Sequence, residues 1–329
     1  EYDEFVKKNP STFYQSSKHL KFLENILKIN AKFIVARDNN EMVGVMPIFC
    51  KETKFGKVIN SLPFFGSYGG VIGQKNEAEK NIIKFLNEYN EKSDILSSVI
   101  ISNPFKNTDV YEKYFKFVDK NERLIQCINL KNNTKENLWN NFEQRVRRGI
   151  RKAEKNMIVV ENSEPTEKLL KKFYKHHVKN ISIKNGAVKP KEFFVEMVKN
   201  FKINEDYEIL TAKYQSEPIA YLLVFNFKTF TEYYMPAYDV EKSNLQGTSL
   251  LIWESIKNSL LKKMEFYNFG GTHMKNDSLY NFKKGWNTGD FQYNYYTYAN
   301  VDKLEEIGKE KLKSIFKYFY VYNYNKILN

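Results

Sequence analysis

The sequence predicts a mixed α/β (α+β) chain made of two similar domains. A repeat is the first observation behind this. Residues 33–49, FIVARDNNEMVGVMPIF, and 209–225, ILTAKYQSEPIAYLLVF, read as one unit written twice. Ala36, Glu41 and Phe49 return as Ala212, Glu217 and Phe225, each 176 residues on. Arg37 becomes Lys213, Val43 becomes Ile219 and Gly44 becomes Ala220. Each copy is an apolar run, a polar turn and a second apolar run, the pattern of a β-hairpin. The second observation is the alternation of helix-period and strand-like segments along the chain. A hairpin repeated at half-chain distance implies two domains, with a ligand cleft between them. The boundaries read as 1–133 for the first domain, 134–160 for a bridging helix and 161–300 for the second. Residues 301–329 are expected to pack back on the first domain.

The elements follow in order. Residues 9–12 (NPST) make a turn, and 13–27 a helix with Phe13, Leu20, Phe22, Leu23 and Leu27 apolar. The first hairpin comes next, then the glycine-rich stretch 61–73, SLPFFGSYGGVIG. Residues 76–90 form an amphipathic helix, and the unbroken apolar run 95–101 a buried strand. Residues 134–156 carry the longest helical pattern, with Leu138, Phe142, Val146, Ile150 and Ala153 as one stripe. Helices at 166–176 and 190–201 precede the second hairpin and a third strand at 230–238. A loop with Gly247 leads into the helix 249–261. A strand at 265–269 ends at Gly270-Gly271, a helical turn carries 282–286, and 290–298 is the last strand. A final helix covers 301–318.

Composition narrows the partners. The chain has 329 residues and a net charge of +13, from 52 basic and 39 acidic side chains. That excess favours anionic partners such as RNA, phosphorylated donors or an acidic membrane surface. No apolar run reaches the 18 or so residues of a membrane span. The first residues, EYDEFVKKNP, do not read as a signal peptide and lack an initiator Met, so a short upstream piece is expected. Cys50 and Cys127 sit in apolar runs and read as buried free thiols of a reducing compartment. The location expected is cytoplasmic, with the inner membrane surface as a further option.

Four stretches carry a family resemblance: FFGSYGG at 64–70, VRRGIRKAEKNMI at 146–158, residues 234–256 ending in LLIWESI, and YNFGGTHMKNDSLYNFKKGW at 267–286. In this order and spacing the chain resembles the FemA/FemB/FemX group of peptidyltransferases, a branch of the GNAT acyltransferase superfamily. The strand and helix order of the second half is likewise that of the GNAT fold. The resemblance implies two GNAT-like domains in tandem, with mixed sheets flanked by helices. It implies transfer of an aminoacyl group from charged tRNA, or an acyl group from acyl-CoA, to an amine. The acceptor would be a cell-wall (peptidoglycan) precursor or an amino sugar. No tightly bound cofactor, no metal and no DNA partner are expected. The chain is too short for the long helical arm of some relatives.

The resemblance and the chemistry single out certain residues. Phe282-Lys283 matches the family's Phe-Lys pair near the reacting centre. Attack of an amine on an ester or thioester builds negative charge on the carbonyl oxygen, and a fixed cation stabilises it. A solvated helix lysine is the bland alternative, and adjacent Lys284 leaves the register open. Tyr233, Tyr234, Tyr238 and Asp239 lie on or just after a strand. Asp239 or Glu232 would take the proton of the ammonium, directly or through water, with a substrate group or water as the other candidate base, and the Tyr side chains would hold the acceptor or relay the proton. Strand neighbours face opposite ways, so one of Tyr233 and Tyr234 is expected in packing.

Gln246, Gly247 and Ser249 precede a helix whose N-terminus would hold a donor phosphate, with Arg148 and Arg151 as further phosphate contacts. The usual Q/R-x-x-G-x-G/A pattern keeps only Gly247 here, which weakens the case for acetyl-CoA. Ser67, Tyr68, Gly69 and Gly70, with Tyr234, Gly271 and His273, are the expected acceptor contacts. Packing turns and helix caps are the competing readings for these loops. Arg145, Arg148, Arg151, Lys152 and Lys155 make a basic stripe that suits RNA phosphates or a lipid-linked pyrophosphate, or is simply solvated. The aromatic segment 316–324 would pack on the first domain or lie at a membrane. The rival classes are an acyl-CoA-dependent N-acyltransferase and a catalytically silent RNA- or membrane-binding relative.

Overall fold

Residues Glu1–Leu124 fold together with Phe291–Asn329, and Ile125–Asp290 form a second unit. The computed structural model describes residues 1–92, 94–184, 186–272 and 277–327. The first unit begins with α1 (Tyr2–Lys8), a 3-10 turn (Phe13–Gln15) and α2 (Ser17–Leu27). Strands β1 (Lys32–Asp38), β2 (Glu41–Thr53), β3 (Gly56–Asn60) and β4 (Ile72–Gly73) follow. Then come α3 (Asn76–Asn90), β5 (Ile95–Ile101), α4 (Asp109–Tyr114) and β6 (Asp119–Asn129), which begins in the first unit and ends in the second.

The second unit continues with α5 (Lys135–Asn141), α6 (Gln144–Lys155), β7 (Val159–Asn162), α7 (Glu167–Ser182) and α8 (Glu192–Asn200). Three antiparallel strands follow: β8 (Tyr207–Tyr214), β9 (Glu217–Phe227) and β10 (Phe230–Tyr238). A 3-10 segment (Val240–Leu245), α9 (Gly247–Leu261), β11 (Phe266–Thr272) and α10 (Asp277–Lys284) complete it. Strand β12 (Gly289–Ala299) returns the chain to the first unit, which ends with α11 (Val301–Ile307) and α12 (Lys309–Ile315). Among the described residues, no helix is long and apolar enough to cross a membrane.

The repeat persists in backbone detail. Hairpin β1–β2 turns through Asn39 and Asn40 at φ 47° and 66°, and β8–β9 through Gln215 and Ser216 at φ 49° and 66°. Positive φ at both central residues of a two-residue loop is the type I′ turn that suits the twist of paired strands. Each hairpin also shifts register at the same place, between Ala36 and Arg37 and between Ala212 and Lys213. In both units a third antiparallel strand leads into a crossover helix and then a parallel fourth strand. Helix α3 packs on β1 and β2, and α9 on β8 and β9. The cores are Ile34, Met46, Ile82, Leu86 and Tyr296 in the first unit, and Leu210, Leu222, Leu251, Ile256 and Trp286 in the second.

The two fourth strands differ. In the first unit β3 and β5 pair from Lys57↔Ile95 to Asn60↔Val99. The seam then continues beyond β3: Ser61 N donates to Val99 O (2.9 Å), Ile101 N to Ser61 Oγ (3.0 Å) and Gly69 N to Ile101 O (3.0 Å). In the second unit β10 and β11 pair at Phe230↔Phe266, Thr231↔Tyr267 and Glu232↔Asn268, and the pairing goes no further.

Two expected helices are broken. The 134–156 pattern is α5 and α6, and this whole segment lies within the second unit rather than between units. Phe142 and Glu143 are extended at the break, and the buried Phe142 ring packs on Trp253 and Trp286. The final helix stops at Ile307 because Gly308 takes φ 82°, and the next ends at Ile315. The aromatic tail is partly buried in the first unit: Phe316 and Phe319 are in the core, and Asn60 brackets the Tyr320 backbone with two bonds of 2.8 Å. Cys50 is half-buried and Cys127 buried, and neither forms a disulfide.

Candidate active site

A cavity of about 410 Å³ opens in the second unit where β10 leaves β11. The cause is local. A bulge at Tyr234 shifts the register of β10 against β9 between Tyr233 and Met235, and a bulged strand bends. Beyond the last shared rung, Tyr233, Pro236, Tyr238 and Asp239 line one wall. Gly247, Thr248 and Ser249 of α9 and Phe282 and Lys283 of α10 line the others. Asp239 is the acidic group among the described lining residues. Its Oδ1 accepts from Glu241 N (3.1 Å) and caps the 3-10 segment.

The open edge of β10 is already occupied. Asp239 N donates to Ile219 O, so its backbone faces β9. Alternation then turns Ala237 toward β9 and Pro236 and Tyr238 outward. Proline has no N–H to offer. The buried Asn180 of α7 accepts from Tyr238 N (2.8 Å) and donates to Tyr238 O (3.0 Å). A side-chain amide thus stands in for the rung that a neighbouring strand would supply.

Gln246 takes the left-handed conformation (φ 63°) and starts α9. The first amide bonds back to Gln246 O come from Ser249 N (3.0 Å) and Leu250 N (3.4 Å). The amides of Gly247 and Thr248 precede them at a helix N-terminus that lines the cavity, the arrangement that receives anions. A Cβ on Gly247 would meet Ile219 Cδ1 at 3.1 Å and Ala212 Cβ at 3.4 Å. Ser249 Oγ donates to Gln246 Oε1 (3.1 Å) and fixes the glutamine.

Lys283 points inward, with 3% of its surface exposed. Its Nζ donates to Gly270 O (2.9 Å), Gly271 O (2.9 Å) and Thr272 Oγ1 (2.6 Å). Successive carbonyls of a regular strand point opposite ways. Gly270 adopts φ +74°, a conformation glycine enters freely, and this lets both carbonyls meet one ammonium. Burial pulls the Lys283 ammonium down to about 7. Lys284 faces elsewhere, with bonds to Thr288 O (3.0 Å) and Asp290 (3.1 Å). Phe282 is 37% exposed and lines the cavity.

The structure gathers Lys283, Phe282, Tyr238, Asp239, Gln246, Gly247 and Ser249 around this cavity. Gly271 joins them through its carbonyl. Tyr234 does not line it, since its ring packs on Phe193 and Phe225. Tyr233 lines the cavity and also packs on Phe269. Glu232 is buried and accepts from Asn268 Nδ2 (2.8 Å). Arg148 and Arg151 lie on α6 outside the lining, Arg151 over the Trp139 ring at 5.4 Å. Ser67, Tyr68, Gly69 and Gly70 are buried in the first unit, where they close the β3–β5 seam. Gln15 and Thr12 hold the carbonyls of Gly70 (2.9 Å) and Tyr68 (2.8 Å). His273 lies outside the described residues. No role was expected of Asn180 or of Thr272 from the sequence.

A strand splay, a helix N-terminus and a buried lysine meet on one cavity. Residues 140–284 match the model of the acetyltransferase (GNAT) domain. The chain carries that domain and is built on the fold of FemX. The FemX structure shares 16% of residues, covers 90% of this chain and 95% of its own, and superposes with a TM-score of 0.69. A conserved protein of unknown function from Bacteroides thetaiotaomicron shares 10%, with 90% and 94% covered and a TM-score of 0.61. The L-PGS of Bacillus licheniformis shares 12%, with 90% of each chain covered and a TM-score of 0.55. At these identities the likeness is one of fold. No curated protein sequence matches the chain.

Proposed function

We propose that the second unit transfers an aminoacyl group from charged tRNA to an amine of a cell-envelope precursor, forming an amide. Asp239 takes one proton from the substrate ammonium, the freed amine nitrogen attacks the ester carbonyl carbon, and the carbon–oxygen bond to the ribose breaks as the ribose oxygen takes up the second amine proton. Lys283 stabilises the oxyanion. Its three protons are engaged, so it acts through its charge in a water-poor site, where a charge counts for more than in water. Gly247 and Thr248 offer their amides to a donor phosphate.

One observation carries the choice of donor. An acyl-CoA arm has two amides that seek rungs on an open strand edge. Here Pro236 lacks a donor and Asn180 holds both backbone groups of Tyr238. A terminal aminoacyl-adenosine needs no such rungs. The reading also fits the net charge of +13 and the basic residues of α6. Incubation with charged tRNA and, separately, with acyl-CoA tests it. Loss of the aminoacyl ester with an amine acceptor present is the expected result. Consumption of acyl-CoA alone would move the protein to the N-acyltransferase reading, and consumption of neither to a binding role. The place of action we propose is the cytoplasmic side of the envelope.

A further inference from the structure

Lys283 is the end of a polar relay that begins on another strand. Thr272 Oγ1 accepts from Lys283 Nζ (2.6 Å) and donates to Gln126 Oε1 (2.9 Å). A hydroxyl has one proton. With that proton on Gln126, only lone pairs face the lysine. The glutamine is oriented in turn: its Nε2 donates toward Tyr280 O (3.3 Å) and Thr288 Oγ1 (3.5 Å), so Oε1 faces Thr272. Gln126, Thr272 and Thr288 are all buried, where a misdirected hydroxyl proton has no water to turn to.

We propose that Gln126 is a positioning residue for the transfer reaction, acting through Thr272 to keep the Lys283 site receptive to an ammonium. This rests on the reading that Lys283 supplies the cation. Without the acceptor at 126, the Thr272 hydroxyl is free to aim its proton at the lysine and favour the neutral amine. The other ionisable groups around the relay do not replace it. Cys127 is a buried thiol pushed well up by burial, and so is neutral. The Glu232 carboxylate is held by Asn268. Asp290 is taken by Lys284 and by Tyr280 (2.8 Å).

Two variants shift the relay in opposite directions. Gln126→Met removes the acceptor and should lower the Lys283 titration by about one pH unit. Gln126→Glu keeps the shape, adds a negative charge and should raise it by a similar amount. Thr272→Ser, which keeps the hydroxyl, should leave it in place. The titration is read directly by trace labelling of the full chain with an amine-reactive anhydride across pH, quantified at Lys283 by mass spectrometry. The alkaline limb of turnover is measured beside it. Opposite shifts in both readouts support the proposal. A Lys283 midpoint that stays fixed in the folded Gln126→Glu and Gln126→Met variants overturns it. Opposite labelling shifts with an unmoved rate profile leave the relay standing and overturn the role given to Lys283.

Discussion

Asn180 turns both atoms of its side-chain amide onto the main chain of Tyr238, accepting at 2.8 Å and donating at 3.0 Å. Asn180→Ala removes both bonds and frees a strand edge. We expect a loss of about 1–3 kcal/mol in urea unfolding, the cost of leaving such groups unpaired. We also expect acyl-CoA to bind more tightly to the variant, measured by calorimetry, because two rungs become available. Unchanged acyl-CoA binding in a folded variant would remove the argument for the donor.

Gly270→Ala tests the turn that aims two carbonyls at Lys283. Among the described residues no atom lies within 4 Å of the added Cβ, so the cost expected is that of φ +74°. About 1–2 kcal/mol of stability is expected to go. Turnover is expected to fall at least tenfold, with circular dichroism unchanged. Full activity would show that the carbonyl pair does not govern the lysine.

The pH dependence follows from burial. Lys283 titrates near 7 in the folded chain against an ordinary 10.5. Between those values the unfolded chain holds a proton that the folded chain has released, so stability rises with pH. The slope from this group approaches about 1.4 kcal/mol per pH unit. Lys283→Met should flatten that slope in unfolding curves at pH 7.5 and 9. Turnover, which needs the charged form, should run the other way and decline above about pH 7.

His19 gives the matching effect in acid. Burial holds it at about 3 against 6.5. Below pH 6.5 the unfolded chain binds a proton that the folded one refuses, and stability falls until about pH 3. His19→Gln should remove this slope in urea titrations at pH 6.5 and 4.5.

The type I′ turns give a stability test apart from the chemistry. Ser216 and Asn40 hold φ 66°, a conformation that favours glycine at this position. Ser216→Gly and Asn40→Gly are each expected to stabilise by about 0.5–1 kcal/mol, because the side chain at positive φ is the larger cost. Thermal melts of the single and double variants would show whether the gains add.

Much of the fold was legible because periodicity reports burial. The helix at 76–90 and the strand at 95–101 form over the residues read for them. The hairpins matched to the bulge because the repeat aligned Ala36 with Ala212. The break at Phe142 was not legible, since a helical stripe runs through it and the ring leaves the helix only to meet Trp253 and Trp286. At the site, Phe282 and Lys283 were visible through a family likeness. The inward turn of Lys283 was not, because a φ at Gly270 makes it. Asn180 carried no signal at all: a polar side chain that bonds to main chain 58 residues away obeys no period. The Ser67–Gly70 segment looked like a binding loop because glycine serves close packing and ligand approach alike.

The connectivity of the first unit has a consequence for synthesis. Strand β12 pairs with β5 from Tyr295↔Ile101 to Ala299↔Ser97, yet it is made after all of Ile125–Asp290. At about 5–20 residues per second, the ribosome leaves β5 without that partner for tens of seconds. An unpaired strand edge of that kind is a template for wrong pairing. The unit with the cavity can close while translation continues. The unit without it waits for the last stretch of chain, and is where a nascent copy is most exposed to aggregation.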